Sequence, residues 1–380
     1  MQVHPQLQQL RDELRARFPE RQDVIDGALA TILCGEHVLL VGPPGTAKSG
    51  LIRAIARAFG AVLFERLLTR TSIPEELLGP MSLHALDKGH FTHVTTGMIP
   101  EAHFVLMDQI FAAGSPVINL LIRLLDERVF LNDGAPVPVP LVSLFGATSE
   151  LPENGTQEHL FDRFLLRFEL DYLQRPSSLR TVLAAPEPTA ATMLGMEALS
   201  AMQEAIPNVK LTEETLDAAV VLRDAMKEEG LVASDRRWKK SLRLVQAAAF
   251  LAGEAQTCPE DLTTLVDVLW HHPRERERVA RIVGRLVNPV AFQAGEILED
   301  GREAAAKAHA LKPQHRRAYL AQAARALLIL RAQVEMLVRL SGSASRRARA
   351  IIDDAVAELN ELHAELARDV HANQGLKVLK

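Results

Sequence analysis

Gly42-Pro43-Pro44-Gly45-Thr46-Ala47-Lys48-Ser49-Gly50 sets the glycines at 42 and 45, the lysine at 48 and the hydroxyl at 49 at the spacing of a phosphate-binding loop. Glycine lets backbone N–H groups approach phosphate oxygens, a helix start adds the positive end of its dipole, Lys48 supplies a point charge and Ser49 can ligate magnesium. Ala47 stands where the strict pattern asks for glycine. The loop follows an apolar run, His37 to Leu40, and opens an amphipathic segment, so it reads as strand, loop and helix in succession. These residues make the chain a nucleotide binder.

A second apolar run, His103 to Met107, ends in the carboxylate of Asp108. In phosphate-loop ATPases such a residue holds the metal, and in many a glutamate beside it polarises the attacking water. Here the neighbour is Gln109. An amide is nearly isosteric with a carboxylate but cannot accept a proton, so nucleotide is expected to bind and hydrolysis to be crippled. Gln109 is either a natural loss of hydrolysis or a substitution made to trap nucleotide. Residues useful only for turnover survive elsewhere in the chain, which favours the trap.

The elements that must position these groups alternate. Helical spacing runs from Gln6 to Leu33, strands are predicted at Val38 to Leu40, Ala61 to Leu67, Phe104 to Asp108, Leu141 to Ala147 and Phe168 to Tyr172, and helices at Gly50 to Phe59 and Ile118 to Asp126. Alternation implies a parallel sheet. Pro136 to Pro140 marks a hairpin-like interruption, since Pro138 and Pro140 forbid a central strand there. Beyond Arg175-Pro176-Ser177-Ser178 strand signals vanish, and helical periodicity takes over in Leu211 to Glu228, Trp238 to Leu251 and Pro259 to Trp270. Thr212 and Cys258-Pro259-Glu260-Asp261 supply helix-start chemistry.

Toward the end of the chain, Leu320, Ala323, Leu327, Leu330, Val334 and Leu337 repeat at spacings of three and four, as do Ile352, Ala355, Leu359, Leu362 and Leu366. With Ser341-Gly342-Ser343 as the turn between them, the two runs predict an antiparallel coiled-coil hairpin. It either packs on the ATPase body or serves as a docking or oligomer-supporting arm. The expected fold is α/β: a parallel-sheet core over 1–175, an all-α domain over 176–275 and an α-helical, coiled-coil-like region over 276–380.

At 380 residues and 48% apolar content the chain can build two or three cores. A net charge of −5 carries no global signature for nucleic acid or an anionic membrane. Cys34 and Cys258 are far apart and lack metal-ligand spacing, which fits a reducing cytoplasm. Adjacent His271 and His272 lack the i, i+4 spacing of a metal pair, and no run reaches the length of a membrane span.

Further segments carry a resemblance: Thr69-Arg70-Thr71-Ser72-Ile73-Pro74-Glu75-Glu76-Leu77-Leu78-Gly79-Pro80, Thr96-Gly97 before Ile99-Pro100-Glu101-Ala102, Leu125-Asp126-Glu127-Arg128-Val129-Phe130, Ser149-Glu150-Leu151-Pro152-Glu153, Leu160-Phe161-Asp162-Arg163 and Ser234-Asp235-Arg236-Arg237-Trp238. From about residue 20 to 272 the chain resembles the MoxR branch of the AAA+ ATPases, particularly its RavA-like members. The resemblance implies ATP and magnesium as cofactors, with Lys48, Ser49 and Asp108 in their expected roles. It implies that Gln109 replaces the catalytic glutamate and that Ser149 stands at the sensor position where the family carries asparagine. Arg163 matches an arginine finger acting in a neighbouring subunit, with Arg167 as the fallback, and Arg236 a lid arginine that touches nucleotide. It further implies a hexameric homo-oligomer that remodels or activates a protein client, often with a partner bearing a von Willebrand factor A domain. Insertions at Thr71 to Gly97 and Asn132 to Pro140 would present loops to the ring axis. Two rival readings remain, a nucleotide-gated scaffold without turnover and a DNA-processing ATPase using the arginines around 274–281 and 346–349. Few aromatic residues interleave with those basic runs, which argues against nucleic acid.

Overall fold

The computed structural model describes residues 5–152, 155–184, 192–311, 316–342 and 344–375. Glu153 of the Ser149 segment and Ser343 of the expected turn lie outside them. The chain divides into two compact units, 1–277 and 278–380.

In the first unit α1 (Pro5–Arg17) and α2 (Gln22–Cys34) lead into β1 (Val38–Val41), and α3 (Lys48–Ala58) follows it. Then come β2 (Leu63–Leu67), the short α4 (Glu75–Leu78) and α5 (Leu83–Leu86), β3 (Phe104–Asp108) and α6 (Ser115–Glu127). The hairpin β4 (Val129–Asn132) and β5 (Ala135–Pro138), then β6 (Ser143–Thr148), α7 (Gly155–Phe161) and β7 (Leu166–Glu169) complete the α/β part. The helical spacing from Gln6 to Leu33 breaks in two because Pro19 disfavours helical geometry at Phe18, and Glu20 turns the chain with φ +60°.

Five strands form one sheet in the order β2-β3-β6-β1-β7, all parallel. All four residues of β1 are buried, as a strand covered by helices on both faces requires. Val41 lies opposite Thr148 and Glu169, and Asp108 opposite Ala147, so the carboxyl ends of β1, β3 and β6 align. The proline-bearing segment forms β5 outside this sheet, paired only with β4.

Past β7 the unit is helical: α8 (Pro176–Ala184), α9 (Met196–Ala205), α10 (Glu213–Glu228), α11 (Asp235–Leu251) and the start of α12 (Pro273–Val287). Thr212 and Ser234 cap α10 and α11 by accepting the N–H of Thr215 and Arg237. The predicted helix from Pro259 is a 3₁₀ helix ending at Asp267, opened by Asp261 accepting the Cys258 N–H at 2.8 Å. The helix α11 packs on α2, and Gln8 reaches the Leu251 carbonyl at 2.5 Å.

The second unit keeps the two paired helices expected there and adds a third. The helices α13 (Pro289–Leu311), α14 (Arg316–Ser341) and α15 (Arg346–Gly375) form a three-helix bundle. Leu330, Leu337, Ile352, Leu359 and Leu366 do face its core, but so do Ala294, Ala304 and Ala308 of α13. Because α13 contributes mostly alanine, its inward face lacks the leucine periodicity that marks the other two. Among the described residues no helix is long and apolar enough to cross a membrane.

Candidate nucleotide site and arginine pair

The phosphate loop leaves the buried end of β1 and turns into α3. Gly42 donates its N–H to Thr148 O at 2.9 Å, tying the loop to the end of β6. A side chain at Gly42 would place its first carbon 2.1 Å from the Leu170 carbonyl oxygen, so only glycine lets these backbones approach. The departure at Ala47 has a backbone consequence: with φ +66° it adopts the left-handed conformation that glycine would take without strain. Lys48 donates to Gly42 O and Pro43 O at 2.8 Å each, so its ammonium closes the loop on itself. Burial lowers the pKa of Lys48 and the charge of Asp108 opposes that shift, which puts the two in electrostatic reach.

At its amino end α3 has no side-chain cap and no acidic residue in its first turn. That end, Lys48 and the open surroundings of Gly45 form a cradle suited to polyphosphate. Ser49 in the first turn and Asp108 at the end of β3 are residues that could hold a magnesium ion, which keeps most of its shell as water and phosphate. Among the described residues no group of three or more His, Cys, Asp or Glu is arranged to hold a metal. Gln109 takes φ +53° directly after the strand and donates its N–H to Asp108 Oδ1 at 3.0 Å. Ser149 is exposed at the same end of the sheet, one residue past buried Thr148.

The two sequence-predicted arginines lie elsewhere, and together. Asp126, in the last turn of α6, accepts Arg163 Nε and Nη2 on Oδ2 at 3.1 and 2.9 Å, and Arg236 Nη2 on Oδ1 at 2.9 Å. Arg163 also donates to His159 O at 3.1 Å. Burial alone would raise the Asp126 pKa, but hydrogen bonds from both arginines hold it below the usual carboxylate value. Arg163 precedes Leu166, which pairs with Val38 at the amino end of β1. Lys48, by contrast, bonds to Gly42 and Pro43 just past the carboxyl end of β1, so the arginine pair and the phosphate loop lie toward opposite ends of that strand. Arg163, Arg236, Arg237, Lys240, Asp162 and Ser234 line one shallow, mostly basic pocket.

Arg167 cannot serve as the fallback finger. Its side chain is 0% exposed, stacked 3.9 Å over Phe161 and bonded to the Trp270 carbonyl. Asp126 and Arg237 had no role assigned from sequence, although both stand inside segments that carry the family resemblance.

Residues 5–206 match the family model of the MoxR domain in the MoxR-vWA-beta-propeller ternary systems. The chain belongs to the MoxR family of AAA+ ATPases. Residues 214–283 of this MoxR chain match an AAA lid domain. It is 35% identical to an uncharacterized protein of Methanocaldococcus jannaschii over 77% of this chain and 80% of that protein. It is 26% identical to the chaperone MoxR1 of Mycobacterium tuberculosis, over 68% of this chain and 73% of the relative. The crystal structure of a Cytophaga hutchinsonii protein superposes with a TM-score of 0.62 at 20% identity, covering 75% of this chain and 94% of that one.

In this MoxR chain the two expected insertions are tied together. Asp133, in the β4–β5 turn, accepts the Phe91 N–H on Oδ1 at 2.8 Å and the His90 ring on Oδ2 at 2.8 Å. Asn132 accepts the His93 N–H at 2.9 Å. Leu83, Phe91 and Leu131 are exposed on these segments.

Proposed function

We propose that the chain is a ring-forming ATPase that binds Mg–ATP between subunits and remodels or activates partner proteins. The observation that carries this reading is the division of charge along one sheet. Lys48 and Asp108 lie at the carboxyl ends of the strands, Arg163 and Arg236 by the amino ends. Arginines held at the far end of the sheet from their own phosphate loop fit a triphosphate presented by another subunit, which supports a homo-oligomer, hexameric in this proposal.

In that site Gly42 to Gly50 hold the phosphates through backbone N–H groups and Lys48. Ser49 and Asp108 hold magnesium, whose charge offsets that of the phosphates when it is bound. Arg163 meets the charge that develops on the transferring group, Arg236 adds the lid's contribution, and Ser149 takes the sensor position. Gln109 can orient water but cannot accept its proton, so hydrolysis is slow. The working parts are the nucleotide core over 1–175, the lid over 176–275 and the C-terminal helices over 276–380. A client polypeptide meets the exposed Leu83, Phe91 and Leu131 of the joined insertions. The description of the matching family supports a partner with a von Willebrand factor A domain. The segments at Thr69 to Pro80 and Ser234 to Trp238 support the RavA-like branch, and Cys34 and Cys258, neither of them in a disulfide, fit the cytoplasm.

The test compares phosphate release by the chain and by Gln109→Glu, both assembled. A gain in Gln109→Glu that disappears on adding Lys48→Ala supports an ATPase. No gain favours a second reading that Gln109 and Ser149 suggest, in which ATP locks an assembly without turnover. Mixing Lys48→Ala with Arg163→Ala subunits, both carrying Gln109→Glu, should restore activity lost by each alone; no restoration removes the intersubunit site.

A further inference from the structure

Asp126 receives one arginine from the sheet domain and one from the lid helix on separate oxygens of a single carboxylate. We propose that Asp126 is the positioning residue that holds Arg163 and Arg236 as one unit for the phosphates of a neighbouring subunit's nucleotide. The inference rests on the intersubunit reading above.

Three features of the geometry carry it. The Asp126 side chain is 25% exposed, so its carboxylate is screened less than a fully solvated one and its charge-assisted bonds fix direction as well as distance. Arg163 spends Nε and Nη2 on Asp126 and Nη1 on His159 O, which leaves its guanidinium a single orientation. Arg236, by contrast, is 58% exposed and is anchored to the sheet domain through Asp126. Two guanidiniums this close repel each other, and a shared carboxylate offsets the repulsion while leaving the pocket with Arg237 and Lys240 basic. A phosphate entering that pocket meets donors already in place, and a lid movement that carries Arg236 away also removes one of the two positive charges that Asp126 offsets. In this way one carboxylate makes the finger sensitive to lid position.

A bland alternative is that Asp126 merely fastens the lid to the sheet. The two are separated by complementation in full-length chains carrying Gln109→Glu. Asp126→Ala is expected to lower kcat by about tenfold to a hundredfold, the range for misplacing a reacting group, with the ATP affinity of the subunit unchanged. Adding Arg163→Ala to it should lower activity no further than Arg163→Ala alone, and Asp126→Glu should recover part of the loss. Asp126→Ala subunits should regain activity when mixed with Lys48→Ala subunits but not with Arg163→Ala subunits. The reverse pattern, or a kcat within twofold of the parent, overturns the proposal. Failure of Lys48→Ala and Arg163→Ala to complement each other would instead sink the intersubunit reading itself. If Gln109→Glu gives no turnover, the readout becomes the ATP concentration for half-maximal assembly. It should rise about tenfold in Arg163→Ala and Asp126→Ala alike, and a rise in Arg163→Ala alone overturns the role of Asp126.

Discussion

The guanidinium of Arg237 closes on the carbonyl oxygen of Phe164 with both terminal nitrogens, Nη1 at 3.2 Å and Nη2 at 3.0 Å. Nη1 also reaches Leu165 O at 3.0 Å, and the side chain is 3% exposed. Burial pulls the Arg237 pKa down to about 10, against the opposing charge of Asp162, yet leaves it protonated at neutral pH. This contact fastens the first turn of α11 to the chain entering β7. Arg237→Ala strands those carbonyls without donors and is expected to cost about 3 kcal/mol in denaturant unfolding of the first unit. Arg237→Lys should recover less than half, because a point charge cannot span both carbonyls.

The two loop glycines should respond differently to the same substitution. At Gly42 the new methyl meets the Leu170 backbone, whereas at Gly45, with φ +84°, nothing lies within 4 Å. Gly45→Ala is then expected to cost about 1 kcal/mol of backbone strain. Gly42→Ala should cost about 3 kcal/mol or more and abolish ATP binding. Paired unfolding and nucleotide titrations of the two variants check this.

His37 is 2% exposed, and its Nδ1 accepts the Leu144 N–H at 3.0 Å. Burial first, then the charges of Arg128 and Lys240, push its pKa well below the ordinary 6.5. The unfolded chain therefore takes up a proton below pH 6.5 that the folded chain refuses. The stabilising contribution of neutral His37 is complete above that pH and falls by about 1.4 kcal/mol per pH unit as pH drops below it. Unfolding measured from pH 7 to 5 should show this slope, and His37→Asn should flatten it by one proton.

Asp133 carries the link between the insertions, and its carboxyl sits below the usual value because it accepts the Phe91 N–H and then the His90 ring. Asp133→Ala should speed hydrogen exchange of the amides from 90 to 93 about tenfold while amides of β1 and β3 stay protected. Unchanged exchange at Phe91 would show that the hairpin does not hold the longer insertion.

What the sequence discloses follows the range of the forces involved. The turn from β1 through Gly42 and Lys48 into α3 was readable because steric freedom, charge and helix start all act within a dozen neighbouring residues. The same holds for Asp108 at the end of an apolar run, for the Thr212 cap and for the exclusion of Pro136 to Pro140 from the sheet. Strand ends were less sharp, as at β7, which begins at Leu166 rather than Phe168, because register is set by the neighbouring strand.

Composition and periodicity by themselves determined an alternating α/β core, a helical successor and a phosphate loop facing a strand-end carboxylate. Only the folded chain decided that Arg163 and Arg236 share Asp126, across sequence separations of 37 and 110 residues. It also decided that Arg167 is sealed under Phe161 and that α13 completes a three-helix bundle. Local steric and helix-phase preferences are written residue by residue, whereas the pairing of distant charges depends on which segments the sheet order brings together. No short-range pattern carries that information.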